Sequence, residues 1–174
     1  TLSADGHRFA WLSWDHPHMP WVSTRLNSAQ INAKGELEDK QVLAGGSYPE
    51  AIQQPRFMRD NSLVAVSDKT GWLNLYRYLL DDKMVRESGG LNSYSGLKEG
   101  QSDQSEPLWP RENDFGIPQW QMGVYTWDEL IRTQQAGDPP AEKRWVGSYM
   151  GRGEGRLVIG SASMQEQRIA EEYS

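Results

Sequence analysis

Short runs of β-branched, apolar and aromatic residues, bounded by Gly, Asp, Asn, Ser or Pro, recur along this chain. The clearest is Leu63-Val64-Ala65-Val66-Ser67, entered from Arg59-Asp60-Asn61-Ser62. Residues 7–14 follow Ser3-Ala4-Asp5-Gly6 in the same way. Runs of this composition behind such turns read as β-strands. Aligned on their turns, Asp5 matches Asp60, Ala10 matches Ala65 and Trp11 matches Val66. A second echo joins Gln54-Pro55-Arg56-Phe57 to Ile117-Pro118-Gln119-Trp120, each proline followed two residues later by a large ring.

The second unit resolves into strands at 54–57, 63–67, 73–80 and 83–87, with Asp81-Asp82 as a tight turn, as Lys34-Gly35 is in the first unit. A repeated four-stranded antiparallel meander predicts an all-β fold, a partial β-propeller of about three blades over 1–46, 50–90 and 115–174. The repeat spacings of 55 and 63 residues exceed the roughly 40–50 of a blade. The Gly/Ser-rich stretch 91–114 accounts for the excess as a long loop. One or two short helices are expected in loops, over 126–135, where Thr126 and Glu129 have capping-box spacing, and over 165–172. A blade cannot bury both faces of its sheet alone, so the two ends of such a segment need partners, and a homodimer of the fragment is one way to supply them.

Composition narrows the function. The chain has 174 residues, 37% of them hydrophobic, and its eight Trp and seven Tyr supply buried area that the modest apolar content does not. Net charge is −6 and the 18 basic residues are scattered, which argues against a nucleic-acid partner. No apolar run is long enough to span a bilayer and no signal-peptide pattern opens the sequence. Cysteine is absent, so disulfide and thiol chemistry are excluded within these residues, in keeping with a cytoplasmic protein.

Residues 3–21, 53–78 and 112–123 together resemble the N-terminal propeller domain of prolyl oligopeptidase-like serine peptidases, the dipeptidyl or acylaminoacyl peptidase group. The resemblance extends over residues 1 to about 125 and keeps the family's order of motifs. It implies a following C-terminal α/β-hydrolase domain, a propeller channel that filters peptides, and a structural role for Trp14-Asp15-His16-Pro17-x-Met19-Pro20-Trp21 between two strands. It also implies a hairpin at residues 66–76. Two departures bear on blade boundaries: residues 22–27 are more polar than the family's, and 126–145 are longer.

Catalysis by the chain itself is not expected. A hydrolase of this type needs G-x-S-x-G on a strand-to-helix elbow, and Gly147-Ser148-Tyr149-Met150-Gly151 has its serine one place too early. All three histidines lie within residues 7–18. His16 and His18 have a spacing that could chelate zinc or copper, but Pro17 and Pro20 break the strand and no further His or Cys completes a shell. No metal and no cofactor is expected. Phe9 and Trp11 are assigned to the core between blades. Trp14 and Trp21, tryptophans near prolines at a strand end, are candidates for packing or for a peptide or domain interface. Gly151-Arg152-Gly153-Glu154-Gly155 lacks a P-loop lysine and reads as a hairpin turn, leaving Arg152 and Arg156 as candidates for a peptide carboxylate or as solvated charges.

Acidic loops, with Glu50, Asp103, Glu106, Glu112 and Asp114, suit either solvent or a peptide amino terminus. The expected function is a non-catalytic segment gating a serine peptidase for short peptides. The alternatives are a stand-alone binding propeller of the TolB type and a sugar-binding or lyase propeller.

Overall fold

The computed structural model describes residues 1–46, 49–80, 105–120, 123–130, 144–151, 154–161 and 166–168. The first sheet holds β1 (Arg8–Ser13), β2 (Arg25–Ile31) and β3 (Leu37–Gly45). The second holds β4 (Ile52–Phe57), β5 (Leu63–Ser67), β6 (Asn74–Tyr78) and β7 (Ser105–Pro107). The third holds β8 (Trp127–Leu130), β9 (Arg144–Gly151), β10 (Glu154–Ser161) and β11 (Glu166–Arg168). Every pairing is antiparallel between sequence neighbours, the arrangement of propeller blades.

The matched turns are physically equivalent. The Asp5 carboxylate accepts the His7 N–H at 3.0 Å, and the Asp60 carboxylate accepts the Ser62 N–H at 3.1 Å. The next position in each turn, Gly6 or Asn61, has positive φ (75° and 63°), a conformation those two residue types tolerate. The two turns also touch: the Asn61 side-chain amide donates to Asp5 at 2.8 Å.

The middle sheet is buried on both faces, and its alternation shows how. Leu63, Ala65, Tyr76 and Tyr78, with Ile52 of the same sheet, face the first sheet, where they meet Ala10, Leu26 and Ala44. Val64, Val66 and Leu75 face the third sheet, where Trp127, Trp145, Tyr149 and Val158 lie. Trp109 and Phe115, from the connection between β7 and β8, wedge into this second core, their rings 4.8 Å apart. Asn74 pins the same connection by bonding the Arg111 backbone in both directions at 2.7 and 2.9 Å.

Several expectations are corrected. No helix occurs among the described residues. In place of a helix at 126–135, residues 127–130 form β8, because Trp127 turns into the core and β9 supplies backbone partners. The capping pair is not made: the Thr126 hydroxyl lies 3.0 Å from the Gln54 side-chain oxygen and Glu129 accepts the Arg59 N–H. Likewise residues 166–168 of the second expected helix pair with β10. Residues 105–107, read as loop, form β7 as the fourth strand beside β6, while the strand expected at 83–87 lies outside the described residues.

Phe9 and Trp11 do share a face, stacked with centroids 5.7 Å apart, but both are only partly buried. Strand parity gives the inter-sheet core to Ala10 and Leu12 instead. The Pro-x-aromatic echo also fails as an equivalence. Phe57 ends β4 and is buried, whereas Trp120 sits in a connection and is 76% exposed.

Candidate functional site: an aromatic rim and its cleft

Strand directions collect certain loops on one rim of the stack. There β1, β5 and β9 end, and β2, β4, β6, β8 and β10 begin. This upper rim therefore carries residues 14–24, the hairpin at 68–73, residues 108–120 and 123–126, and the adjoining ends of β9 and β10. The lower rim carries the Asp5 and Asp60 turns and the Lys34-Gly35 hairpin.

A cleft of about 370 Å³ opens on the upper rim, lined among others by Trp14, Asp15, His16, His18, Thr24 and Arg25. Its wall is the turn in which the Asp15 carbonyl accepts the His18 N–H at 2.9 Å across a cis His16–Pro17 peptide. The Arg25 guanidinium pairs with the Asp15 carboxylate, and this hydrogen bond and charge hold the Asp15 carboxyl below the usual aspartate range. Asp15 and Arg25 thus largely cancel one another inside the cleft.

The cleft's hydroxyls serve the fold. Thr24 donates to the Ile52 carbonyl at 2.9 Å and accepts the Ile52 N–H at 2.6 Å, fastening the first sheet to the second. Ser13 accepts from the Asn27 amide at 2.9 Å. Among the described residues no hydrogen bond links these two hydroxyls to His16 or His18. Ser148 lies within β9, its N–H bonded to the Thr126 carbonyl at 2.8 Å, far from an exposed elbow.

Of the residues singled out from sequence, the structure brings Trp14, Trp21, His16 and His18 to this rim. His16 and His18 are exposed, on a turn and not on a strand, and no group of three or more His, Cys, Asp or Glu side chains gathers at metal-binding distance among the described residues. Trp14 is 42% exposed. The Trp21 ring packs against Trp120 with centroids 4.5 Å apart and the planes tilted by 42°, joining the β1–β2 loop to the connection before β8. Arg152 lies outside the described residues; its described neighbours Gly151 and Glu154 pair with each other. Arg156 is partly buried, opposite Tyr149 on the strand face that looks toward the second sheet.

Two groups were not legible as sites in the sequence. Trp120 was one ring of a strand motif, and nothing local marks it as exposed. Arg56, Tyr125 and Asp128 are the other: the Arg56 guanidinium lies 4.4 Å over the Tyr125 ring and pairs with Asp128, linking β4 to β8. The Tyr125 hydroxyl adds a bond to the Pro55 carbonyl at 3.2 Å. In the hairpin at 68–73, Asp68 uses its carboxylate outside the turn, accepting the Ala51 N–H at 2.8 Å. Thr70 bonds the Tyr76 hydroxyl at 3.0 Å.

No helix among the described residues is long and apolar enough to cross a membrane. No protein-family model and no curated protein sequence matches the chain. Solved structures do. Puromycin hydrolase matches at 29% identity over 99% of this chain and 22% of its own, with a TM-score of 0.69. A serine-to-alanine mutant of puromycin hydrolase complexed with PGG matches at 29% identity over the same shares, with a TM-score of 0.71. A puromycin-hydrolysing peptidase of Mycobacterium tuberculosis matches at 25% identity over all of this chain and 22% of its own, with a TM-score of 0.72. The chain is a partial β-propeller of the kind carried by puromycin-hydrolysing, prolyl oligopeptidase-type peptidases, and it spans 22% of the length of the structures it matches.

Proposed function

We propose that this chain is a non-catalytic propeller segment that covers a C-terminal α/β-hydrolase domain and gates the access of short peptides to its serine nucleophile. The observation that carries the reading is a stack of three blade-like sheets that matches solved peptidases along the length of this chain, in a sequence that contains no G-x-S-x-G. Exposed apolar residues at the ends of the stack support it. Leu157 is 44% and Met150 55% exposed on the third sheet, and Phe9 with Trp11 covers the outer face of the first. Further blades of the same ring are the natural cover for such faces.

Gating follows from the geometry of a propeller. β4 and β8 are edge strands of their sheets joined through Arg56 and Asp128, and side chains there, Arg56 and Tyr125 among them, would border the channel. The absence of cysteine suits a cytoplasmic setting.

The test compares the full-length protein with the 174-residue chain on an aminoacyl chromogenic substrate. Turnover by the full-length protein, abolished by replacing the serine of a downstream G-x-S-x-G, is the expected result. Turnover by the chain alone would refute the reading. A gene that continues only with β repeats would replace it by a binding propeller of the TolB type.

A further inference from the structure

The β1–β2 loop and the end of β3 build the polar cleft of the first sheet around one arginine. Arg25 opens β2, and its backbone is fixed on both sides by pairing with Ser13 of β1 and Gly45 of β3. Its stem runs over a bare backbone: a Cβ built on Gly46 would sit 3.0 Å from the Arg25 Nε, 3.3 Å from Cδ and 3.4 Å from Cγ. Gly46 also has a φ of 90°, which favours glycine. Asp15 holds the far end through Nη2. An arginine fixed at stem and tip has already given up much of the freedom it would lose on binding.

The pair is not saturated. Among the described residues Nη2 donates to Oδ2 of Asp15, which leaves the Nη1 N–H groups and the Asp15 Oδ1 for a ligand. Solvent reaches both side chains, at 32% and 65% exposure. A donor fork beside a carboxylate, with their charges cancelling, complements a dipolar group. Asp15 repels a multiply charged anion such as phosphate, and Arg25 repels a bare amine. An α-carboxylate with an N–H on the same carbon carries both halves, and its planar oxygens match the guanidinium fork. Trp14, with Pro17 and Pro49, gives the cleft an apolar wall for a side chain, and His16 and His18 line the same opening. A volume of about 370 Å³ is at the small end for ligand pockets and suits a chain terminus.

We infer that this cleft binds the α-carboxylate end of a peptide or amino acid: the carboxylate on Arg25, the adjacent N–H on Asp15 and the side chain against Trp14. The inference rests on the peptidase reading above and adds to it a preference for ligands that end in a free carboxylate. The ligand is either the last residue of a short peptide substrate or an amino acid released from one.

The experiment measures kcat and KM of the full-length protein on one short peptide ending in phenylalanine, made as the free acid and as the carboxamide. A KM lower for the acid by roughly tenfold, the scale of a charge-assisted hydrogen bond, is expected for a peptide terminus. Arg25→Gln should abolish that difference, and Arg25→Lys, which keeps the charge without the fork, should retain only part of it. Equal KM values for acid and amide, with free phenylalanine inhibiting the wild type but not the Arg25 variants, would assign the cleft to the released amino acid. Equal KM values without such inhibition overturn the inference and leave the peptidase reading standing. An acid preference that survives in full in both Arg25 variants overturns it as well. A full-length protein that hydrolyses neither peptide sinks both readings.

Discussion

Trp109 lies flat against Gly160: a Cβ built on that glycine would sit 2.7 Å from the indole ring. No side-chain rotation relieves this contact, because the ring is fully buried and itself packed on Phe115. Gly160→Ala should therefore destabilise the fold by about 1–3 kcal/mol, the cost of overpacking a filled core. Gly155→Ala, whose Cβ would meet nothing closer than the Met150 sulfur at 3.9 Å, should stay within about 0.5 kcal/mol of the parent. Urea denaturation of the two variants checks both values, and equal midpoints would contradict the wedge.

Much of this architecture was legible in the sequence, and the limits have physical causes. β5 was readable to the residue because both its faces are buried and every position is apolar or small. The Asp5 and Asp60 turns were readable because an Asp with a following Gly or Asn has few other uses. Around Trp127 local capping spacing favours a helix, and only the pairing with β9, about 20 residues away, overrides it. β7 was hidden for a similar reason: Ser105-Glu106-Pro107 has no strand propensity, and β6 alone supplies its ladder. At the site, Trp14 and Trp21 stood out by composition, but the Arg56–Tyr125–Asp128 cluster depends on residues about 70 positions apart and left no local trace.

Asp68 supplies a pH prediction. Burial, with a smaller contribution from Asp114, raises its carboxyl above the ordinary aspartate value of 3.8, against hydrogen bonds that pull the other way. The folded state thus holds this proton more tightly than the unfolded state, so the group's favourable contribution is present below about 3.8 and is lost as pH rises through the raised folded value. Asp68→Asn keeps an acceptor for the Ala51 N–H and should gain on the wild type over that window. Denaturation midpoints measured from acid to neutral pH show it, and a wild type that gains instead would reverse the assignment.

The seam between β4 and β8 should be salt-sensitive. Arg56 and Asp128 are both partly exposed, so a double-mutant cycle with Arg56→Ala and Asp128→Asn should give a coupling of about 0.5 kcal/mol, shrinking as salt is added. Zero coupling at low salt would show that the Tyr125 ring alone holds Arg56.

The purified 174-residue chain should self-associate, since its end faces carry Phe9 and Trp11 at one side and Leu157 at the other. Light scattering should report a dimer or larger species with strong hydrophobic-dye binding. A monomer that binds little dye would mean that these faces are covered within the chain.

Gating by the propeller should show in the dependence of turnover on peptide length. Hydrolysis rates of the full-length protein are measured on a series of peptides sharing one amino-terminal residue and growing in length. A steep fall beyond short peptides is expected, relaxed when Arg56→Ala and Asp128→Asn loosen the β4–β8 seam. Rates independent of length in the wild-type protein would contradict it.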